Sequence, residues 1–289
     1  PEDVTMMLAV ASGKGGTGKT MVATNLALSV PGAQYIDCDV EEPDGHIFLH
    51  PEIRERRAVT VPLPQIHEDA CTLCGDCAEA CEFNALALSS KRVLVFADLC
   101  HGCGVCSYVC PEKGAISETQ RRIGDVAIGV APNGNGAGMA FAEGILDVGQ
   151  PTAVPVIRAV KQTADTASAV ILDAPPGTAC PMVATVRDAD YCLLVTEPTP
   201  FGLSDLRLAV EVIRQLEIPC GVVLNRCDTG DQAVAEYCRE EAIPILMQVP
   251  FSRDLAIAYS RGVPWVKEAP EYAEQFRALF QAIVAEARL

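Results

Sequence analysis

Residues 5–11 are an apolar run that ends in "SGKGGTGKT", and a segment with helical spacing, "TMVATNLALSV", follows without a break. A strand that passes into a helix through so many glycines leaves few folds open to a chain. Gly13, Gly15, Gly16 and Gly18 carry no Cβ, so backbone N–H groups can converge on phosphate oxygens where the helix begins. Thr17 completes the loop, Lys19 is placed to reach the β- and γ-phosphates, and Thr20 to ligate Mg2+. The segment reads as the triphosphate site of a nucleotide-binding protein.

Beyond it, short apolar strands are expected at "AQYIDCD", "DVAIGVA", "AVILDA", "YCLLVTEP", "PCGVVLNR" and "PILMQVP". Helices are expected near 151–166, 181–188, 203–217 and 231–242, with two more toward the C-terminus. Alternation of this kind implies an α/β fold, a mostly parallel sheet with helices on both faces. "VEEPDGHIFLHPEIRERR" is polar and proline-marked, so it is expected to be irregular, with the charges of 54–57 on a solvated face. Residues 62–123 break the rhythm, with short strands between two groups of cysteines and no long helix. Both ends of this stretch join α/β segments. It is therefore expected to be a small α+β module inserted into one domain made of residues 1–61 and 124–289.

The insertion contains "CTLCGDCAEAC" from residue 71 and "CHGCGVCSYVC" from residue 100, an internal repeat of the form C-x-x-C-G-x-C-x-x-x-C, with Gly75 and Gly104 at the same step. Thiolates at this spacing let a tight loop wrap three ligands around one corner of a cubane, with the fourth on the turn that follows. Zinc also takes four thiolates and is the alternative. The doubled comb resembles that of two-cluster bacterial ferredoxins. That resemblance implies two 4Fe–4S clusters with crossed ligation: Cys71, Cys74, Cys77 and Cys110 on one, Cys100, Cys103, Cys106 and Cys81 on the other. Pro111 follows the last ligand as in the bacterial pattern, whereas Glu82 stands in the corresponding place after Cys81. So small a module has little apolar core, so ligation is expected to supply much of its folding free energy.

The second lysine of the first motif, Lys14 in "KGGTGKT", resembles that of the MinD, ParA, Mrp and nitrogenase iron protein superfamily of ATPases. The resemblance extends over residues 1–60 and 125–289. It implies a homodimer through the nucleotide face, with Lys14 reaching the nucleotide of the other subunit. It implies that Asp39 in "DCDVEEPD" orients the attacking water, with Asp37 nearer the Mg2+. "ILDAPPGT" matches the second switch, with Asp173 as the metal-side carboxylate and Gly177 as the γ-phosphate sensor. "VVLNRCD" and "VPFSRDL" are similar to the segments beside the base, placing Asn225 and Pro250 there, and adenine over guanine is implied by the family alone. Cys180 falls where the iron protein has a bridging-cluster ligand. The loop "PNGNGAGMA" offers no second cysteine, and the C-terminal C-x-x-C of cluster-carrying Mrp proteins is missing, so iron–sulfur chemistry is assigned to the insertion. The whole layout is similar to that of ATPases associated with the orange-protein system, and implies a redox or metal-site partner protein. The alternatives are an iron–sulfur cluster carrier and a MinD-type positioning ATPase.

Composition narrows the partners. With 22 basic and 38 acidic residues the chain has a formal charge of -16, which repels nucleic acid and anionic lipid. No apolar run approaches the roughly 20 residues of a membrane span. The start lacks a basic region leading into an apolar one, so a cytoplasmic protein is expected. A positioning ATPase would need a membrane-seeking tail, yet the last helix, with Phe276, Leu279, Phe280 and Ile283 at helical spacing, is expected to dock on the sheet. The six cysteines outside the combs sit mostly in apolar surroundings and are expected to pack as small hydrophobes.

Overall fold

The apolar run before the glycine loop becomes β1 (Met6–Ala11) near the middle of a nine-stranded sheet, in a computed structural model that describes residues 5–133 and 138–287. The centre of the "PNGNGAGMA" loop lies outside the described residues. The sheet runs β11 (Ile245–Val249), β10 (Cys220–Asn225), β9 (Tyr191–Thr196), β1, β8 (Ala169–Asp173), β2 (Gln34–Asp37), β7 (Met139–Leu146), β6 (Ile116–Ala131), β3 (Glu52–Ile66). Pairing is parallel from β11 to β7 and antiparallel across β7, β6 and β3. Since β8 lies between β1 and β2, chain connections leave in opposite directions on either side of β1. That divergence opens the crevice at the strand ends where open α/β sheets bind ligands.

One face of the sheet packs on α1 (Lys19–Ser29), α2 (Gly45–Leu49), α9 (Arg253–Ser260), α10 (Trp265–Glu268) and α11 (Glu271–Ala287). The other packs on α5 (Val154–Lys161), α6 (Cys180–Val186), α7 (Pro200–Gln215) and α8 (Ala233–Glu240). The last helix docks as its spacing predicts, with Phe276, Leu279, Phe280 and Ile283 buried in the first of these cores. Among the described residues no helix is long and apolar enough to cross a membrane. Of the scattered cysteines, Cys38, Cys192 and Cys238 are buried, Cys220 and Cys227 half-buried, and Cys180 exposed.

Two strands escape the sequence pattern. The stretch expected to be irregular holds α2 and the first part of β3, which is the sheet's edge. Glu52, Arg54, Glu55, Arg56 and Arg57 lie there in the solvent, where charged side chains discourage pairing with another chain. A register shift between Ile53 and Glu55 further hides the alternation. In β7 the pattern is broken by buried Glu143 and by Gly144, where a Cβ would stand 2.5 Å from Val40 Cγ1.

β6 belongs to two structures at once. Its second half, Gly124–Ala131, pairs with β7 in the sheet, while its first half continues outward paired only with β3. Positions 62 and 123 thus fall inside strands, and the cysteine segment hangs from the outer end of a continuous ribbon. It holds α3 (Asp76–Glu79), the hairpin β4 (Leu86–Leu88) and β5 (Val93–Val95), a 3-10 turn at Ala97–Leu99, and α4 (Val105–Val109). Gly75 and Gly104 precede the two helices at φ 92° and 76°, which places the repeated glycine of each comb in the left-handed region.

Truncating the fully buried Phe276 to Ala should cost about 3–5 kcal/mol in urea denaturation, as removal of a core aromatic does. A loss below about 1 kcal/mol would mean that α11 is not part of the cooperative core.

Candidate functional site

The glycine loop leaves β1 and closes on the N-terminus of α1, where unpaired N–H groups and the helix dipole favour an anion. A Cβ on Gly15 or Gly16 would meet nothing within 4 Å, so the loop presents bare backbone to the crevice. Gly13 is packed the other way: a Cβ there would stand 2.3 Å from the Asp205 carbonyl oxygen at α7. Thr17 is buried and its hydroxyl has no partner within the protein. An orphaned donor beside exposed N–H groups fits a phosphate. Lys14 is half-buried.

Lys19 is buried and gathers the acidic residues of both switch segments. Its Nζ lies 2.5 Å from Asp173 Oδ1 and 3.7 Å from Asp39 Oδ2. Burial alone would lower its pKa, but attraction to Asp173, Asp39 and Asp37 outweighs this and holds the ammonium above its usual value. Asp37, Asp44 and Asp173 bring carboxylate oxygens within 4.8 Å of one another, so Asp44 joins the two carboxylates expected from the sequence. Burial and the Asp173 charge push Asp37 well above the usual carboxylate range and raise Asp44. Burial also takes Asp39 up to about 6, Lys19 opposing and Asp173 adding to the rise. Carboxylates crowded beyond what one ammonium neutralises suit a divalent cation, and a buried Asp44 oxygen without a partner fits the same demand. The Thr20 hydroxyl, 3.4 Å from Lys19 Nζ, completes an all-oxygen donor set.

Asp37 also builds the loop around this site. Its Oδ1 accepts from the Asp39 N–H and its Oδ2 from the Gly45 N–H, both at 3.0 Å, so residues 38–45 wrap around one side chain. Tyr35 donates to Asp173 Oδ2 at 2.9 Å from within the core, and a Cβ on Gly45 would stand 2.3 Å from the Tyr35 oxygen. His46 Nδ1 lies 3.1 Å from Glu143 Oε2, joining α2 to β7. On the second switch, the Gly177 N–H donates to the Ser12 carbonyl at 2.9 Å, φ is 94°, and a Cβ there would meet nothing within 4 Å.

Next to the glycine loop a cavity is lined by Gly16, Gly18, Met21, Asn225, Pro250, Phe251, Tyr259 and Trp265 among others. The structure brings Asn225 and Pro250 to it. The Asn225 amide is engaged at both ends, Nδ2 donating to the Thr17 carbonyl at 2.8 Å and Oδ1 accepting from the Arg226 N–H at 3.0 Å. Here Asn225 holds the phosphate loop in shape, and a Cβ on Gly18 would press within 2.6 Å of its Nδ2. Tyr35, Asp44 and Trp265 had no signal beyond single residues in segments read for other features.

The eight comb cysteines line two further cavities. Cys71, Cys74, Cys77 and Cys110 face one, with Ile66, Val93 and Ile116. Cys81, Cys100, Cys103 and Cys106 face the other, with Pro62, Pro64, Phe83 and His101. All eight are free thiols. Cys180 stands exposed at the start of α6, apart from both sets.

Comparison with known proteins gives a consistent result. The family model described as the CobQ/CobB/MinD/ParA nucleotide binding domain matches residues 8–265. An uncharacterised protein of Methanocaldococcus jannaschii is 27% identical over 268 residues, 91% of this chain and 92% of that one. An iron–sulfur cluster carrier protein of Methanococcus maripaludis is 25% identical over 131 residues, 40% of this chain and 45% of its own. The cell-division ATPase MinD of Pyrococcus furiosus superposes with a TM-score of 0.55 at 20% identity, covering 98% of this chain and 99% of that one.

Trp265 is the chain's single tryptophan and lines the cavity beside the phosphate loop, so nucleotide binding should change its fluorescence. The Mg2+-dependent part of that affinity should tighten as pH rises, because burial and mutual repulsion hold protons on Asp37 and Asp44 that compete with the cation. Asp44→Asn should weaken it by roughly 10–100-fold, the range for losing a supporting group at a metal site. Fluorescence titrations at several pH values test both; an affinity equal at pH 5 and pH 8 would exclude the carboxylates from metal binding.

Proposed function

Because the chain belongs to the CobQ/CobB/MinD/ParA family of nucleotide-binding domains, we propose that it is a dimeric, Mg2+-dependent ATPase whose nucleotide cycle governs two 4Fe–4S clusters and their electron transfer to a partner protein. The observation that carries this reading is the sorting of eight cysteines into two cavities, each lined by three from one comb and one from the other. The sorting matches the set that crossed ligation in two-cluster bacterial ferredoxins would use, which supports the reading.

Eight thiols in a doubled three-plus-one comb favour clusters over single zinc ions. The module's own buried core is Cys77, Leu86, Val93 and Cys106, half of it cysteine, so its fold depends on what those thiols bind.

At the nucleotide site, Lys19 exchanges part of its pairing with Asp173 for the β- and γ-phosphates. Asp39 orients the attacking water, and Lys14 reaches the nucleotide of the second subunit. Mg2+, held by Thr20 with the flanking carboxylates, supplies charge neutralisation between the phosphates. Hydrolysis needs little beyond this positioning and electrostatic stabilisation. Switch segments ordered by γ-phosphate and released after hydrolysis are the bistable element.

A second reading, cluster delivery to apo-proteins, draws support from the likeness to the Methanococcus maripaludis carrier over part of the chain. Burial of Cys77, Cys100 and Cys106 favours retention over release. Anaerobically purified protein should carry about eight irons per chain, with the electron paramagnetic resonance of coupled clusters. Stopped-flow reduction should differ with and without MgATP, and Lys14→Ala should abolish that difference along with most hydrolysis. A colourless zinc protein would refute the cluster assignment. Rapid transfer of iron to an apo-ferredoxin would favour the carrier.

A further inference from the structure

The two cysteine cavities are not equivalent with respect to the ATPase body. The Cys71 set meets Ile66 and Ile116, the last pair in the register of the β3–β6 ribbon, whereas the Cys81 set meets Pro62 and Pro64, nearer the sheet. From Pro62 to Ile66 is four residues of strand, about 13 Å at 3.3 Å per residue. The second cavity is therefore the inner one. Its loop is seated on the ribbon at Gly102, where a Cβ would stand 2.7 Å from Val61 Cβ and 3.0 Å from the Pro62 carbonyl oxygen.

A short series of contacts joins this inner loop to the first switch. Arg121 on β6 donates through one terminal nitrogen to the Cys100 carbonyl at 2.9 Å and through the other to Gln150 Oε1 at 2.5 Å. Gln150 closes a turn with Asp147, whose carbonyl accepts from the Gln150 N–H at 3.3 Å. The Asp147 N–H donates to the Ile123 carbonyl at 2.8 Å, and its carboxylate accepts from Arg122 at 2.6 Å. The preceding residue, Leu146, donates its N–H to the carbonyl of Val40 at 2.8 Å. Val40 follows Asp39 directly, and its side chain lies in the space that Gly144 leaves open on β7.

We propose that Arg121 is a positioning residue that links the first switch, through the 147–150 turn, to the inner cysteine loop. This rests on the reading above that the cavities hold clusters and the crevice holds MgATP. When the segment 38–44 rearranges around the γ-phosphate, Val40 moves Leu146 and the turn with it. The rigid guanidinium fork transmits that displacement to the carbonyl of Cys100. A cation held against a ligand's backbone also favours the more negative, reduced state of the group beside it, so position and potential change together. The outer set, which has no such tie among the described residues, keeps its potential.

The test uses reconstituted full-length protein in three states: nucleotide-free, MgADP-bound, and bound to a slowly hydrolysed MgATP analogue. Hydrogen exchange should respond to nucleotide at 38–44, 146–150 and 100–106. A potentiometric titration should show one of the two clusters shifting with nucleotide and the other not. In Arg121→Ala the response at 38–44 should remain while that at 100–106 and the potential shift are lost, and the inner potential should become more negative. Arg121→Lys, which keeps the charge but not the two-pronged geometry, should restore the resting potential without the nucleotide response. Should Arg121→Ala fail to fold, Gln150→Ala breaks the same link from the other side. A nucleotide response at 100–106 that survives both variants would overturn the proposal. So would a wild-type protein that carries eight irons and binds nucleotide without any response there, and that result would leave the cluster and ATPase assignments intact. Protein devoid of clusters would remove both.

Discussion

One buried ammonium among four aspartates organises the nucleotide end of this molecule. Lys19 comes from the glycine loop, Asp37 from the end of β2, Asp39 and Asp44 from the segment after it, and Asp173 from the end of β8. No single segment could bury such charges alone, since desolvating an unpaired carboxylate costs several kcal/mol. Pairing across three strand ends makes the cost bearable and ties each switch segment to the phosphate loop. The same crowding leaves the acids short of positive charge, and burial, with repulsion from Asp173 adding to it, draws several of them above the ordinary carboxylate range. Substrate and metal would complete a balance that the protein leaves unfinished, which makes the switch segments sensitive to both.

The second constraint is mechanical. A helix or flexible linker could have carried the cysteine module, but β3 and β6 run paired from the sheet edge as far as the outer cysteine cavity, with register shifts at Ile53/Glu55 and Val59/Thr60. Their shared hydrogen-bond ladder makes the insertion an extension of the sheet. Because β6 pairs with β7, and β7 with β2, the strand into which the cysteine segment returns is two places from the strand that bears Asp37. A segment on such a mount is tied to the sheet by a hydrogen-bond ladder rather than by a flexible linker.

The phosphate loop, the β8 aspartate, the alternating strands and the two combs were all legible because each is local. A glycine cradle, an apolar strand and a thiolate comb are encoded within a dozen neighbouring residues, and their chemistry follows from residue type and spacing. β3 and β7 were not legible, because an edge strand shields itself with charge and a strand holding a buried glutamate beside a glycine shows no alternation. Asn225 was legible as a residue near the nucleotide. That its amide is occupied by Thr17 and Arg226 depends on atoms 208 residues away as well as next door.

The amino-acid order alone determined the α/β class, the triphosphate loop, the acidic pair around Cys38 and the inventory of eight comb thiols, since these need only neighbours in the chain. Tertiary structure decided that Asp44 stands with Asp37 and Asp173, that the Asn225 amide is occupied by Thr17 and Arg226, and which cavity lies nearer the sheet. These depend on the closing of long loops and on the register of β3 against β6, quantities set by the packing of distant segments and written in no short stretch of the chain.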